Sequence, residues 1–123
     1  MQASIQLVNS FSNTWTINVT DVSSGQSFQN NFVYRSSQLS AEWIVERPDV
    51  NRVVSPLADF GNVSITNCMA TIGSVNGGIS NFSATKVVMY SSSTFGGGSV
   101  QLADVSDLTS DWAGFTVIYL ASS

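Results

Sequence analysis

Hydrophobic and polar positions alternate along most of this chain, and they do so with period two. Trp15, Ile17 and Val19 interleave with Thr16, Asn18 and Thr20, the pattern of a strand with one face covered and one face in water. Phe115, Val117 and Tyr119 repeat it near the far end. Their opposite face holds Ile118 and Leu120, so this strand is expected to be covered on both sides. Short β-branched or aromatic runs at residues 3–8, 14–21, 26–34, 42–47, 62–68, 69–75, 84–91, 99–105 and 114–120 read as strands. Clusters of Ser, Asn, Gly and Asp punctuate them. Ser23-Ser24-Gly25 predicts a hairpin turn, while Gly77-Gly78, Ser91-Ser92-Ser93 and Gly96-Gly97-Gly98 predict loops. No helical period emerges. The expected fold is all-β, an antiparallel β-sandwich or jelly roll.

One run breaks the habit of strands to avoid carboxylates. In Ser40-Ala41-Glu42-Trp43-Ile44-Val45-Glu46-Arg47-Pro48, alternation puts Glu42, Ile44 and Glu46 on one face and Trp43 and Val45 on the other. Acidic side chains are depleted in strands and costly to bury without a partner or a use. Two on one face ask for a reason. From the residues alone, Glu46 is either an edge charge that deters aggregation or a working carboxylate, and Glu42 either lines a cleft or is solvated.

Composition narrows the chemistry. Histidine is absent from the 123 residues, which removes Ser-His-Asp and Cys-His machinery and His-ligated zinc. Any catalysis must use carboxylates, amides or hydroxyls, with no cofactor and no metal expected. Asp104, Asp107 and Asp111 match no calcium loop and read as a solvated turn. The triple glycine lacks the strand, helix and Lys-Ser/Thr of a phosphate loop. Charged residues make up 10 % of the chain and the net charge is −4, which leaves no basic footprint for nucleic acid or an anionic membrane. No apolar run is long enough to cross a bilayer. Cys68 is the lone cysteine, expected as a small buried hydrophobe. Trp15 and Trp43 are expected in the core and Trp112 exposed in a turn.

The run Ala41-Glu42-Trp43-Ile44-Val45-Glu46, followed by Ala58-Asp59-Phe60-Gly61, resembles the glutamic peptidases, or eqolisins: acid endopeptidases built as β-sandwiches. The flanking Thr14-Trp15-Thr16-Ile17-Asn18-Val19 and Ser24-Gly25-Gln26-Ser27-Phe28 fit as well. The resemblance implies a concanavalin-like sandwich, a polypeptide substrate, and Glu46 as the catalytic general base that takes a proton from the attacking water. In the family a glutamine amide from an earlier strand orients that water and stabilises the oxyanion. Gln2, Gln6, Gln26, Gln29, Gln38 and Gln101 are present, but none sits at the matching motif, and Pro48 and Asp49 stand where fungal members carry Phe and Glu. Asp59 reads as a turn residue that binds backbone N–H groups.

The resemblance covers the C-terminal portion of the family's domain. The expectation is therefore a single sandwich domain over residues 1–123 or a truncated one, weak or inactive alone, that dimerises through bared edges or depends on a missing N-terminal segment. Low charge suits an acidic exterior, so the chain is expected to be a secreted, extracellular hydrolase. The rival expectation is a non-catalytic, lectin-like or adhesive binding module, to which the abundant Ser, Thr, Asn and Gly are equally suited.

Overall fold

The computed structural model describes residues 1–91 and 98–122. It is all-β and antiparallel, with no α-helix among the described residues. Two compact units emerge, residues 1–38 and 39–123. Ser92, Ser93, Gly96 and Gly97, read above as loop, lie outside the described residues.

The first unit is a three-stranded meander of β1 (Gln2–Asn9), β2 (Thr14–Thr20) and β3 (Ser27–Val33). Register sorts its side chains cleanly. Leu7 faces Trp15, which faces Phe32, and Val19 faces Phe28; this is the apolar side. Ser4, Asn18 and Gln29 align on the other, as do Gln6, Thr16 and Asn31. The predicted hairpin turn forms, with Gly25 at φ 73°. Asp21 builds it, accepting from the Ser23 amide at 2.9 Å and the Ser24 hydroxyl at 2.7 Å. The Ser24 hydroxyl first, then the Ser23 amide, hold the Asp21 carboxyl below its ordinary pKa. Trp15 departs from expectation. No residue of this unit is buried, because it offers a single layer, and the half-buried indole instead donates Nε1–H to the Tyr34 carbonyl at 2.8 Å.

The second unit holds the core. In chain order it contains β4 (Asp49–Val50), β5 (Val53–Val54), β6 (Asn62–Ile65), β7 (Met69–Ile72), β8 (Val75–Gly78), a 3-10 turn at Ile79–Asn81, β9 (Met89–Tyr90), β10 (Gln101–Val105) and β11 (Phe115–Tyr119). Strands β6, β11, β10 and β9 form one sheet in that order, and β4–β5 and β7–β8 are separate hairpins. Ala103, Val105, Phe115 and Val117 share a face by register. They meet Leu57, Cys68 and Ile79 in the buried cluster. Leu102, on the other face of β10, is wholly buried.

Several expected elements come out differently. Coverage on both sides falls to β10 rather than β11: Asn62 and Ser64 flank the Ile118 side of β11, a polar neighbourhood, and Leu120 stays 50 % exposed. Gly77-Gly78 is not a loop but the end of β8, paired with Ala70 and Met69. A Cβ at Gly77 would collide with the Asn81 side chain, so the close approach requires glycine there. The run at 84–91 is a strand only at Met89–Tyr90, and 42–47 belongs to no sheet.

Candidate active site

Residues 39–46 belong to no helix or strand and make no backbone–backbone hydrogen bond among the described residues. The strand-like alternation survives without a ladder. Trp43 and Val45 are half-buried and pack against the core, whereas Glu42, Ile44 and Glu46 are exposed. Alternate residues are anchored by apolar contact while every second side chain turns to water, as along a strand. Glu42 and Glu46 therefore share a face, as expected, and neither forms an ion pair with a described residue.

The segment borders a groove of about 1060 Å³. Residues 82–89 also line it, as do Ala103, Val105, Phe115 and Val117 of the sheet. Lys86 and Asp107 join two of the lining segments through an exposed ion pair at 3.2 Å, a contact worth at most about 1 kcal/mol.

The second motif piece is structural. Asp59 accepts the Gly61 amide at 2.9 Å, and Gly61 takes φ 59°. Phe60 packs edge-on against Tyr119 with ring centroids 5.8 Å apart, while the Gly61 carbonyl accepts the Tyr119 amide at 2.8 Å. Leu57 inserts into the core. The motif thus pins the entry of β6 to the end of β11.

Glutamines are scarce here. Gln101 is the only glutamine in the second unit, and its side chain is engaged: Nε2 donates to the Ala103 carbonyl and Oε1 accepts from the Tyr90 hydroxyl, both at 3.3 Å. The aspartates expected in a solvated turn have local partners. Asp104 accepts the Val105 amide at 2.8 Å and Asp107 pairs with Lys86. Asp111 accepts from the Thr109 hydroxyl and from the Ala113 amide, and these two bonds, the hydroxyl first, lower its pKa. Next to Asp111, Trp112 is 61 % exposed at φ 59°. Cys68 is buried and free, its thiol pKa pushed up by burial and then by the charge of Asp111.

The Peptidase A4 family profile matches residues 1–109, a span that contains both motif pieces and all three strands of the first unit. The chain belongs to the Peptidase A4 family. Among solved structures it is similar to aspergilloglutamic peptidase from Aspergillus niger, with a TM-score of 0.70 and 24 % identity over 97 % of this chain and 65 % of that one. At that identity the likeness establishes the fold, and the chain spans less than two thirds of that protein's length. No curated protein sequence matches it.

Sequence reasoning missed the β4–β5 hairpin, which begins three residues after Glu46. The cue was Asn51-Arg52 between Val50 and Val53, since Asn accepts the left-handed backbone a two-residue turn demands.

Proposed function

We propose that this chain carries the glutamate-bearing part of an acid endopeptidase of the glutamic type, with Glu46 as general base. The observation that supports it most is the placement of Glu46: exposed on a groove-lining segment whose neighbours Trp43 and Val45 are packed in the core. A general base must reach its water and must be held still, and this segment offers both. Ionised Glu46 takes a proton from water as the oxygen attacks the scissile carbonyl, then returns it to the leaving amine.

The oxyanion needs a donor, worth about 3–4 kcal/mol in such sites. Gln101, the one glutamine of the second unit, is engaged, and we propose that the donor is supplied from outside the second unit. We propose that it lies in a segment beyond these 123 residues, so that the chain alone is feeble, and, as a separate proposal, that the protein works in an acidic, extracellular setting. The test is cleavage of a labelled unfolded protein at about pH 3–4, where a carboxylate base begins to ionise. The chain and Glu46→Gln are each assayed alone and with the upstream part of a Peptidase A4 domain. Cleavage should appear on addition and vanish in the variant. Absence of cleavage with the segment supplied sinks the proposal.

A second reading, a binding module for neutral polar ligands, draws on the uncharged amide and hydroxyl face of the first unit. It requires saturable glycan binding that Glu46→Gln leaves intact.

A further inference from the structure

The segment at 39–46 and the groove it lines share one unfilled need. From Trp43 to Arg47 half-buried and exposed residues alternate, as they do along a strand that belongs to a sheet. Yet residues 39–46 make no backbone–backbone hydrogen bond among the described residues. Backbone amides and carbonyls beside a core are nearly always paired. A row of them without a ladder is the template on which another strand adds.

The groove says what that strand must carry. Ile72, Ile79, Phe82, Val88, Met89 and Val105 are part of its lining, Ile79 buried and the other five half-buried. Its volume of about 1060 Å³ is far beyond the voids of a close-packed interior, few of which exceed a water molecule. A small molecule could occupy such a space, but it would leave the backbone row at 39–46 without partners. A strand answers both features, because its main chain pairs while every second side chain packs into the hollow. The solved glutamic peptidase similar to this chain is matched over 65 % of its length, and the remainder of that sandwich has no counterpart here.

We propose that residues 39–46 are the docking edge for one strand of that remaining part of the domain. The incoming strand is apolar at alternate positions, pairs with this backbone and seats its apolar side chains in the groove. This rests on the reading that part of the domain lies beyond these residues, and it does not depend on Glu46 acting as a base.

The test follows hydrogen exchange of the full chain mixed with overlapping dodecapeptides. These cover the part of aspergilloglutamic peptidase that this chain does not match, each with Gln replaced by Ala so that no catalytic amide is supplied. One peptide, apolar at alternate positions, should slow every second amide among residues 39–46 by about tenfold, well within the span between open loops and core strands. The intervening amides should stay fast, since a strand offers only alternate amides to one neighbour. N-methylation of that peptide along its pairing edge should abolish the effect, and methylation along its other edge should not. Ala84→Trp, at an exposed position in the lining, fills the groove without touching the buried cluster and should weaken the effect. No peptide that slows these amides, slowing that both methylated forms retain, or slowing unchanged in Ala84→Trp overturns the inference. Slowing in the chain alone that grows with its concentration assigns the edge to a second copy and overturns it as well. Cleavage restored by the whole upstream part without slowing at 39–46 overturns the docking and leaves the peptidase reading intact. Slowing by that unmodified part without cleavage supports the docking and sinks the peptidase reading instead.

Discussion

Trp43 and Glu46 are sorted in opposite ways along one groove-lining segment, the indole packed against the core and the carboxylate exposed. Anchor and candidate base are therefore separable by mutation. Glu46→Gln keeps the shape and the burial of the segment. It should lower cleavage by about 10²–10⁴, the usual contribution of a general base, with no shift in melting temperature. Trp43→Ala should cost about 2 kcal/mol, less than the 3–5 typical of a fully buried aromatic, and should weaken cleavage too by loosening the segment. Equal loss of stability in both variants would show that Glu46 is structural.

Hydrogen exchange should report the missing ladder. Amides of residues 39–46 lack backbone partners among the described residues, whereas those at the centres of β2, β10 and β11 are flanked by paired strands. Exchange tracks local opening, so the 39–46 amides should exchange fastest among the extended parts of the second unit. Slowing of these amides on addition of an upstream segment would locate the strand that pairs there; slow exchange in the chain alone would contradict the unpaired segment.

Asp111 makes stability depend on pH in a stated direction. Its bonds from the Thr109 hydroxyl and the Ala113 amide lower its folded pKa, so the folded state favours the ionised form. Its contribution is present above the ordinary, unfolded carboxylate pKa and is lost as pH falls through the lowered one. Melting temperature should thus decline across the acid range, and Asp111→Asn should flatten that decline while lowering stability near neutrality. Profiles that superimpose across the whole pH range would remove this turn as an acid-sensitive element.

How much of this was legible beforehand follows from where the information lies. The alternation at Trp15 to Val19 and Phe115 to Tyr119 marks strands because it records which face is covered, and both strands formed where read. The same alternation at Glu42 to Glu46 correctly sorted the two faces, yet it carries no record of pairing: side chains report burial, and a ladder also needs a neighbouring backbone. Gly77 and Gly78 misled for the reverse reason, since glycine here answers close approach, of Asn81 at Gly77 and of Ala113 and Trp112 at Gly78, rather than a turn. The motif residues Asp59 to Gly61 announced the family, but their work in pinning β6 to β11 became visible only with Phe60 against Tyr119.

Leu102 and Cys68 are the most completely buried side chains described, and they sit in a unit whose sheet must be secured at both ends. The Leu102 carbonyl accepts the amides of Leu120 at 2.9 Å and Ala121 at 3.2 Å, and the Cys68 amide donates to the Ala113 carbonyl at 2.7 Å. Leu102→Ala should therefore cost about 3 kcal/mol through lost contacts and a residual cavity. Ile5→Ala, at a position 69 % exposed in the first unit, should cost well under about 1 kcal/mol, as substitutions outside a core do. Urea unfolding of the two variants separates the cases by midpoint at constant slope. A larger loss for Ile5→Ala than for Leu102→Ala would mean that the apolar face of β1, β2 and β3 is covered in solution and contributes a second core.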